Sequence, residues 1–165
     1  MPAFTVAILT SSDMGSRGER EDTSGELAKE IIEAHGGEVV ARAVLPDERE
    51  ILSEQLRAWC DSGKVGLVLT TGGTGLGPRD VTPEATLDVA DRLVPGLAEQ
   101  MRAQTVEKTA MAMISRQVVA VRGQCLILNL PGSTNGVREC LDVVLPVLPH
   151  AVEVVSQTRT EQHPR

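Results

Sequence analysis

Aromatic residues are almost missing from this 165-residue chain: one Phe, one Trp and no Tyr. Without them there is no platform on which the bases of a single strand could stack. A net charge of −7 further excludes a general nucleic-acid binder, which needs a basic surface. The three cysteines, Cys60, Cys125 and Cys140, are odd in number and far apart, and no CxxC or Cys/His cluster accompanies them. Structural zinc and a disulfide framework are thereby set aside. The thiols read as reduced and buried, in keeping with a cytoplasmic protein. No apolar run approaches the roughly 20 residues that cross a membrane, and the N-terminus lacks a basic region leading into a signal-type segment.

With so few rings, the core must come from Val, Leu, Ile and Ala, which favours packed parallel strands and helices. Thr5 to Leu9, Val39 to Leu45 and Val65 to Leu69 read as buried strands. Helices are expected from Asp22 to about Gly36, from Pro46 with Asp47 as N-cap, and from Pro83 to Arg92 with Thr82 as N-cap. Another begins near Leu97. Gly15 to Asp22 reads as a mobile loop, and Ala103 to Arg116 has no clean period. Val118 to Val121 and Cys125 to Leu128 read as strands joined by a tight turn. A final helical stretch from Asn135 to Ser156 is split or kinked by Pro146 and Pro149.

The alternation of strands and helices predicts a three-layer α/β/α sandwich. Its central sheet is mostly parallel, with a short antiparallel hairpin strand. Residues 1–157 form one domain and 158–165 a flexible tail. Ligands of such folds collect outside the carboxyl ends of the strands. Three polar strand ends fall there: Ser11 to Asp13, Thr70 to Asp80, and Asn129 to Ser133.

The middle one is the most informative. Thr70-Thr71-Gly72-Gly73-Thr74-Gly75-Leu76-Gly77-Pro78-Arg79-Asp80 places four glycines and three hydroxyls between a strand and a helix. Glycine lets a ligand approach main-chain N–H groups, which suits phosphate. It is not a P-loop, since Pro78 and Arg79 stand where Lys and Ser/Thr are required. Nor does it have the dinucleotide fingerprint. Asp80 is placed either to coordinate Mg²⁺ or to bond nearby backbone. Asp47 is a cap by position. Arg79 and Arg116 are candidate anion clamps. No histidine neighbours this edge, and no Gly-x-Ser-x-Gly elbow is present.

The run from Leu69 to Thr86, with Ser115-Arg116-Gln117, Leu128 to Ser133, and the early Ser12-Asp13 and Ser24-Gly25, resembles the molybdenum cofactor biosynthesis proteins of the MogA/MoaB type. The likeness extends to the G domains of gephyrin and its plant counterpart. It implies adenylyl transfer: molybdopterin attacks Mg-ATP, giving adenylylated molybdopterin and pyrophosphate, and the product passes to a molybdenum-insertion protein. The resemblance also implies a homotrimer, or in some members a hexamer. It assigns Asp47 and Asp80 to Mg²⁺ and the reacting phosphates. It assigns Thr71, Gly72, Gly73, Thr74 and Gly75 to the pterin phosphate. Ser115, Asn129, Pro131, Gly132 and Ser133 match further substrate contacts. Ser12, Asp13, Asp22, Ser24 and Gly25 match the nucleotide side. A basic residue often follows the Pro-Gly-Ser turn in that family; here Thr134-Asn135 takes its place. The competing reading is a non-catalytic molybdopterin-binding or scaffold protein, against which both aspartates count.

Overall fold

The computed structural model describes residues 4–157. The tail expected at 158–165 lies outside them. Strand β1 (Phe4–Ser11) leads through a one-turn helix α1 (Asp13–Ser16) to α2 (Thr23–Ala34). Then come β2 (Gly37–Leu45), α3 (Arg49–Asp61) and β3 (Leu67–Thr71). The chain continues through α4 (Thr82–Val89), β4 (Arg92–Leu93), α5 (Pro95–Thr105) and a 3-10 turn (Ala110–Ile114). It closes with β5 (Val119–Arg122), β6 (Cys125–Leu130), α6 (Thr134–Val144) and α7 (Leu148–Ser156).

The strand order is β2-β1-β3-β6-β5-β4. The first four run parallel, and β5 is antiparallel to both neighbours. Successive side chains on a strand point to opposite faces. Val6, Ile8, Leu67, Leu69, Leu126 and Leu128 therefore meet α2, α5, α6 and α7 in one core. Ala7, Leu9, Val68, Cys125 and Ile127 meet α3 and α4 in the other. Both faces are covered, as a nearly all-aliphatic parallel sheet requires. The sandwich expected from the sequence is the one observed.

Several boundaries differ for local reasons. β3 runs two residues further than expected, because the β-branched Thr70 and Thr71 pair with Asn129 and Leu130. Asp47 is not a cap: Glu48 takes that position and makes no side-chain cap bond. The N-cap of α4 is Val81, and the Thr82 hydroxyl donates to the Gly72 carbonyl at 2.9 Å instead. The polar stretch after Ser12 is partly helical, with Ser12 capping the Gly15 N–H at 2.9 Å. β4 has only two residues, both exposed, so it carries no hydrophobic pattern. The unperiodic stretch resolves into the end of α5 and the 3-10 turn, whose i→i+3 geometry has no 3.6 period to show. The last helix is indeed split, into α6 and α7.

Because β1, β2, β3 and β6 are parallel, their carboxyl ends share one edge. The chain order reverses between β1 and β3, which makes the switch point of the sheet.

Candidate functional site

A cleft of about 800 Å³ opens at that switch point. The end of β1 and the residue after it contribute Thr10, Ser11 and Ser12, the segment after β2 contributes Asp47, and the end of β3 with the loop after it contributes Thr71, Gly72, Gly73 and Asp80. Gly132, Ser133 and Thr134 follow β6. The first turns of two helices also border the space, through Asp22 to Ser24 of α2 and Ser133 with Thr134 of α6. Helix N-termini favour anions.

The glycines are there for close approach. Gly72 and Gly73 have φ of 89° and 69°. A Cβ on Gly72 would lie 2.5 Å from the Ser11 carbonyl, and one on Gly73 would lie 2.3 Å from Thr82 Oγ1. Gly132 brings the Pro-Gly-Ser turn onto Gly72, where a Cβ would stand 3.2 Å from Gly72 Cα. Three strand ends are thus pressed together backbone to backbone at the wall of the cleft.

The two aspartates are held differently. Asp47 Oδ1 accepts from the Ser11 hydroxyl at 2.5 Å, and Oδ2 accepts from the Asp13 N–H at 3.0 Å. The Asp47 N–H in turn donates to Asp13 Oδ1 at 3.0 Å. Asp80 Oδ2 accepts from the Gly77 N–H at 2.9 Å. Both carboxylates line the same cleft, and each oxygen keeps an unused lone pair. Mg²⁺ is commonly bound by one or two carboxylates together with substrate phosphates, and this pair fits that pattern. Among the described residues no cluster of three or more His, Cys, Asp or Glu could hold a metal by itself.

Asp22 caps α2, accepting from the Gly25 N–H at 3.0 Å and from the Thr10 hydroxyl at 2.9 Å. Arg42 pairs with it at 3.0 Å. Gly25 does not line this cleft; it is glycine because a Cβ there would sit 2.2 Å from Asp22 Oδ2. Ser24 receives the Thr71 hydroxyl at 2.8 Å.

A second pocket of about 490 Å³ adjoins the first, with Ser133 in the lining of both. Thr74, Gly75, Ser115 and Pro131 line it, together with Lys108, Met111, Ile114, Gln117 and Cys140. Ser115 donates to Gln117 Oε1 at 2.8 Å. Burial pushes the Cys140 thiol up to about 11, so it is a protonated apolar wall. Neither pocket has a histidine in its lining.

Asn129 departs from the role expected of it. It is fully buried, and its amide donates to the hydroxyls of Thr70 and Thr86, both at 3.0 Å. Its Oδ1 accepts from the Val118 N–H at 3.1 Å. Every polar arm is occupied inside the protein, so Asn129 ties β3, α4 and the start of β5 together and faces no ligand. Asp13 likewise is not among the residues that line the cleft. Arg79 forks onto it at 2.8 and 2.9 Å, and that guanidinium, with the Asp47 N–H, holds the Asp13 carboxyl below the ordinary carboxylate value.

The two arginines expected as anion clamps are committed elsewhere. Arg79 serves Asp13. Arg116 donates to the carbonyls of Gly75 at 2.8 Å and Asp80 at 2.7 Å and pairs with Glu84. Burial pushes the Glu84 carboxyl up, but the Arg116 hydrogen bond and the backbone outweigh it and the net shift is down. Sequence reasoning passed over Arg20, the one cation in the lining of the larger cleft. It makes no ion pair among the described residues, although Glu21, Asp22, Asp47 and Asp80 share that lining. Its place in a polar loop gave no hint. Thr10 was also missed, although its hydroxyl stands at a strand end beside the recognised Ser11 and Ser12.

Hydroxyls, close-packed glycine backbone and carboxylates at a switch point define an α/β protein built to hold phosphate-bearing ligands. The family model described as "Probable molybdopterin binding domain" matches residues 7–150, and this chain belongs to that family. The molybdopterin adenylyltransferase of Helicobacter pylori J99 is 37% identical over 162 residues, covering 94% of this chain and 89% of its own. The molybdenum cofactor synthesis protein cinnamon of Drosophila melanogaster is 38% identical over 156 residues; the match covers 94% of this chain but 26% of the fly protein. The crystal structure of the molybdopterin biosynthesis enzyme MoaB from Thermus thermophilus aligns with a TM-score of 0.88 at 54% identity. That alignment covers 93% of this chain and 96% of the other.

Proposed function

We propose that this chain transfers the adenylyl group of ATP to the terminal phosphate of molybdopterin. The observation that carries the reading is the junction of two unlike pockets at Ser133 and the glycine loop. The larger, with its carboxylates, hydroxyls and helix starts, suits the triphosphate of ATP. The smaller, with Met111, Ile114, Pro131 and Gln117, suits a pterin ring. Its phosphate would reach the backbone of Gly72 to Gly75.

A pterin phosphate oxygen then attacks the α-phosphorus. The bond from that phosphorus to the α,β-bridging oxygen breaks, and pyrophosphate leaves. Such transfers need little covalent help; positioning and charge neutralisation do most of the work. That accounts for a site without histidine or an activated thiol. Asp47 and Asp80 would hold Mg²⁺, which when bound neutralises charge on the reacting phosphates. Arg20 is placed to take the charge of the departing pyrophosphate. The glycine-loop N–H groups fix the attacking phosphate in line.

Three free buried thiols accord with a reducing compartment, the cytoplasm. Exposed apolar side chains such as Leu76, Met111 and Met113 support self-association, which we take to be a homotrimer. Sedimentation at graded concentrations tests that assignment, and a monomer throughout would refute it.

The reaction is tested by incubating the protein with molybdopterin and Mg-ATP. Adenylylated pterin and pyrophosphate should appear in equal amounts. Pterin binding without either product would leave a binding protein and remove the enzyme.

A further inference from the structure

Arg79 is an exposed member of the site's hydrogen-bond network and lines neither pocket. Its guanidinium forks onto Asp13, with Nε donating to Oδ2 at 2.8 Å and Nη2 to Oδ1 at 2.9 Å. Asp13 Oδ1 also accepts the Asp47 N–H at 3.0 Å, and the Asp13 N–H donates back to Asp47 Oδ2 at 3.0 Å. A bidentate guanidinium–carboxylate pair fixes orientation as well as distance. An exposed pair of this kind adds little to folding stability. What it supplies here is alignment: the fork sets the Asp13 carboxylate, and the reciprocal Asp13–Asp47 bonds pass that setting on.

We infer that Arg79 is a positioning residue which, through Asp13, aims the Asp47 carboxylate at the metal-bound polyphosphate. The sequence separation is what makes this useful. Arg79 immediately precedes Asp80 on the loop after β3, whereas Asp47 follows β2. One guanidinium therefore couples the loop that carries one metal-facing aspartate to the residue that carries the other. Asp80 has a separate support, since Arg116 holds its carbonyl at 2.7 Å and the Gly77 N–H holds its carboxylate. Loss of Arg79 should leave Asp80 in place and loosen Asp47.

The inference rests on the adenylyl-transfer reading, because that reaction calls for a metal-bound triphosphate at Asp47. The two are tested apart. Mn²⁺ binding in the presence of ATP is measured by electron paramagnetic resonance for the full chain and for Arg79→Gln, Arg79→Lys, Asp13→Ala and the Arg79→Gln/Asp13→Ala double variant. Arg79→Gln should weaken Mn²⁺ binding on the order of tenfold, as loss of an outer support typically does. The melting temperature should hardly move. Arg79→Lys should not restore the affinity, since an ammonium cannot fork. The double variant should lose no more than Asp13→Ala alone.

Unchanged Mn²⁺ affinity in Arg79→Gln overturns the inference, whether or not the melting temperature falls. So does an additive loss in the double variant, which would mean that Arg79 meets the nucleotide directly. Wild-type protein that binds no Mn²⁺ with ATP overturns it too. Absence of adenylylated pterin with wild-type protein removes only the reaction; the Mn²⁺ titration still judges Arg79.

Discussion

The two pockets share Ser133 and little else. The larger is walled by four carboxylates, strand-end hydroxyls and the starts of α2 and α6. The smaller is walled by a 3-10 turn, α6 and the far side of the glycine loop, with Met111, Ile114 and Pro131 among its polar groups. One is an electrostatic device and the other a shape. The difference teaches where specificity and chemistry reside. On the proposed reading, a metal-bound polyphosphate takes the pocket where charge is concentrated, and a ring takes the one where apolar surface and a few amides converge. The same reading puts the bond-making step at the seam.

The largest effect expected from breaking that division is at Asp80. Asp80→Asn keeps an oxygen for the Gly77 N–H, so the loop stays folded, but it removes the charge. Adenylylation should be abolished while molybdopterin affinity, measured by fluorescence quenching, is largely kept. Unchanged turnover would dismiss Asp80 from the metal site.

Asp47→Ala comes next. Asp47 is not a helix cap, so the ordinary capping loss of about 1 kcal/mol does not apply to it. Activity should fall far below what its melting curve explains. Activity that merely follows the fraction folded would reduce Asp47 to a structural role.

Gly73→Ala attacks the seam itself. A left-handed alanine costs about 1–3 kcal/mol, and its Cβ would strike Thr82 Oγ1. Both ligands should bind less well, with a lowered unfolding midpoint in urea. Loss of affinity for one ligand alone would mean that the pockets do not share this loop.

Smaller again is the acid response of the Asp13–Arg79 pair. The Asp13 carboxyl is lowered in the folded state, chiefly by the Arg79 hydrogen bond. Its contribution is therefore fully present above the unfolded value of 3.8 and is lost as the pH falls below it, through the lower folded value. The stability gap between wild type and Asp13→Asn should close over that acid range. A gap that instead opened with acid would contradict the ion pair.

Much of this was legible in the chain. Short aliphatic runs and the glycine loop defined the sheet and its functional edge, because burial on both faces leaves no other pattern for a parallel strand. Asp47 illustrates the limit. Followed by Glu50 three residues on, it matches a capping signature by position, and the bonds it makes instead, to Ser11 and Asp13 across 34 or more residues, appear only in the fold. Asn129 shows the reverse: a polar residue at a strand end looks like a ligand contact until its three partners are seen. Arg79 and Arg116 were recognisable as charges, but their targets depend on how the loop folds back. β4 was invisible because two exposed residues carry no period.

The most direct measurement is the structure of the protein with molybdopterin and a magnesium complex of an ATP analogue whose α,β-bridge is a methylene, so that transfer is blocked. The account predicts the triphosphate in the larger cleft between Asp47, Asp80 and Arg20. The pterin ring should lie between Met111 and Pro131, with its phosphate on the backbone of Gly72 to Gly75 and near the α-phosphorus. Both ligands in one pocket, or the pterin phosphate remote from the α-phosphorus, would contradict it.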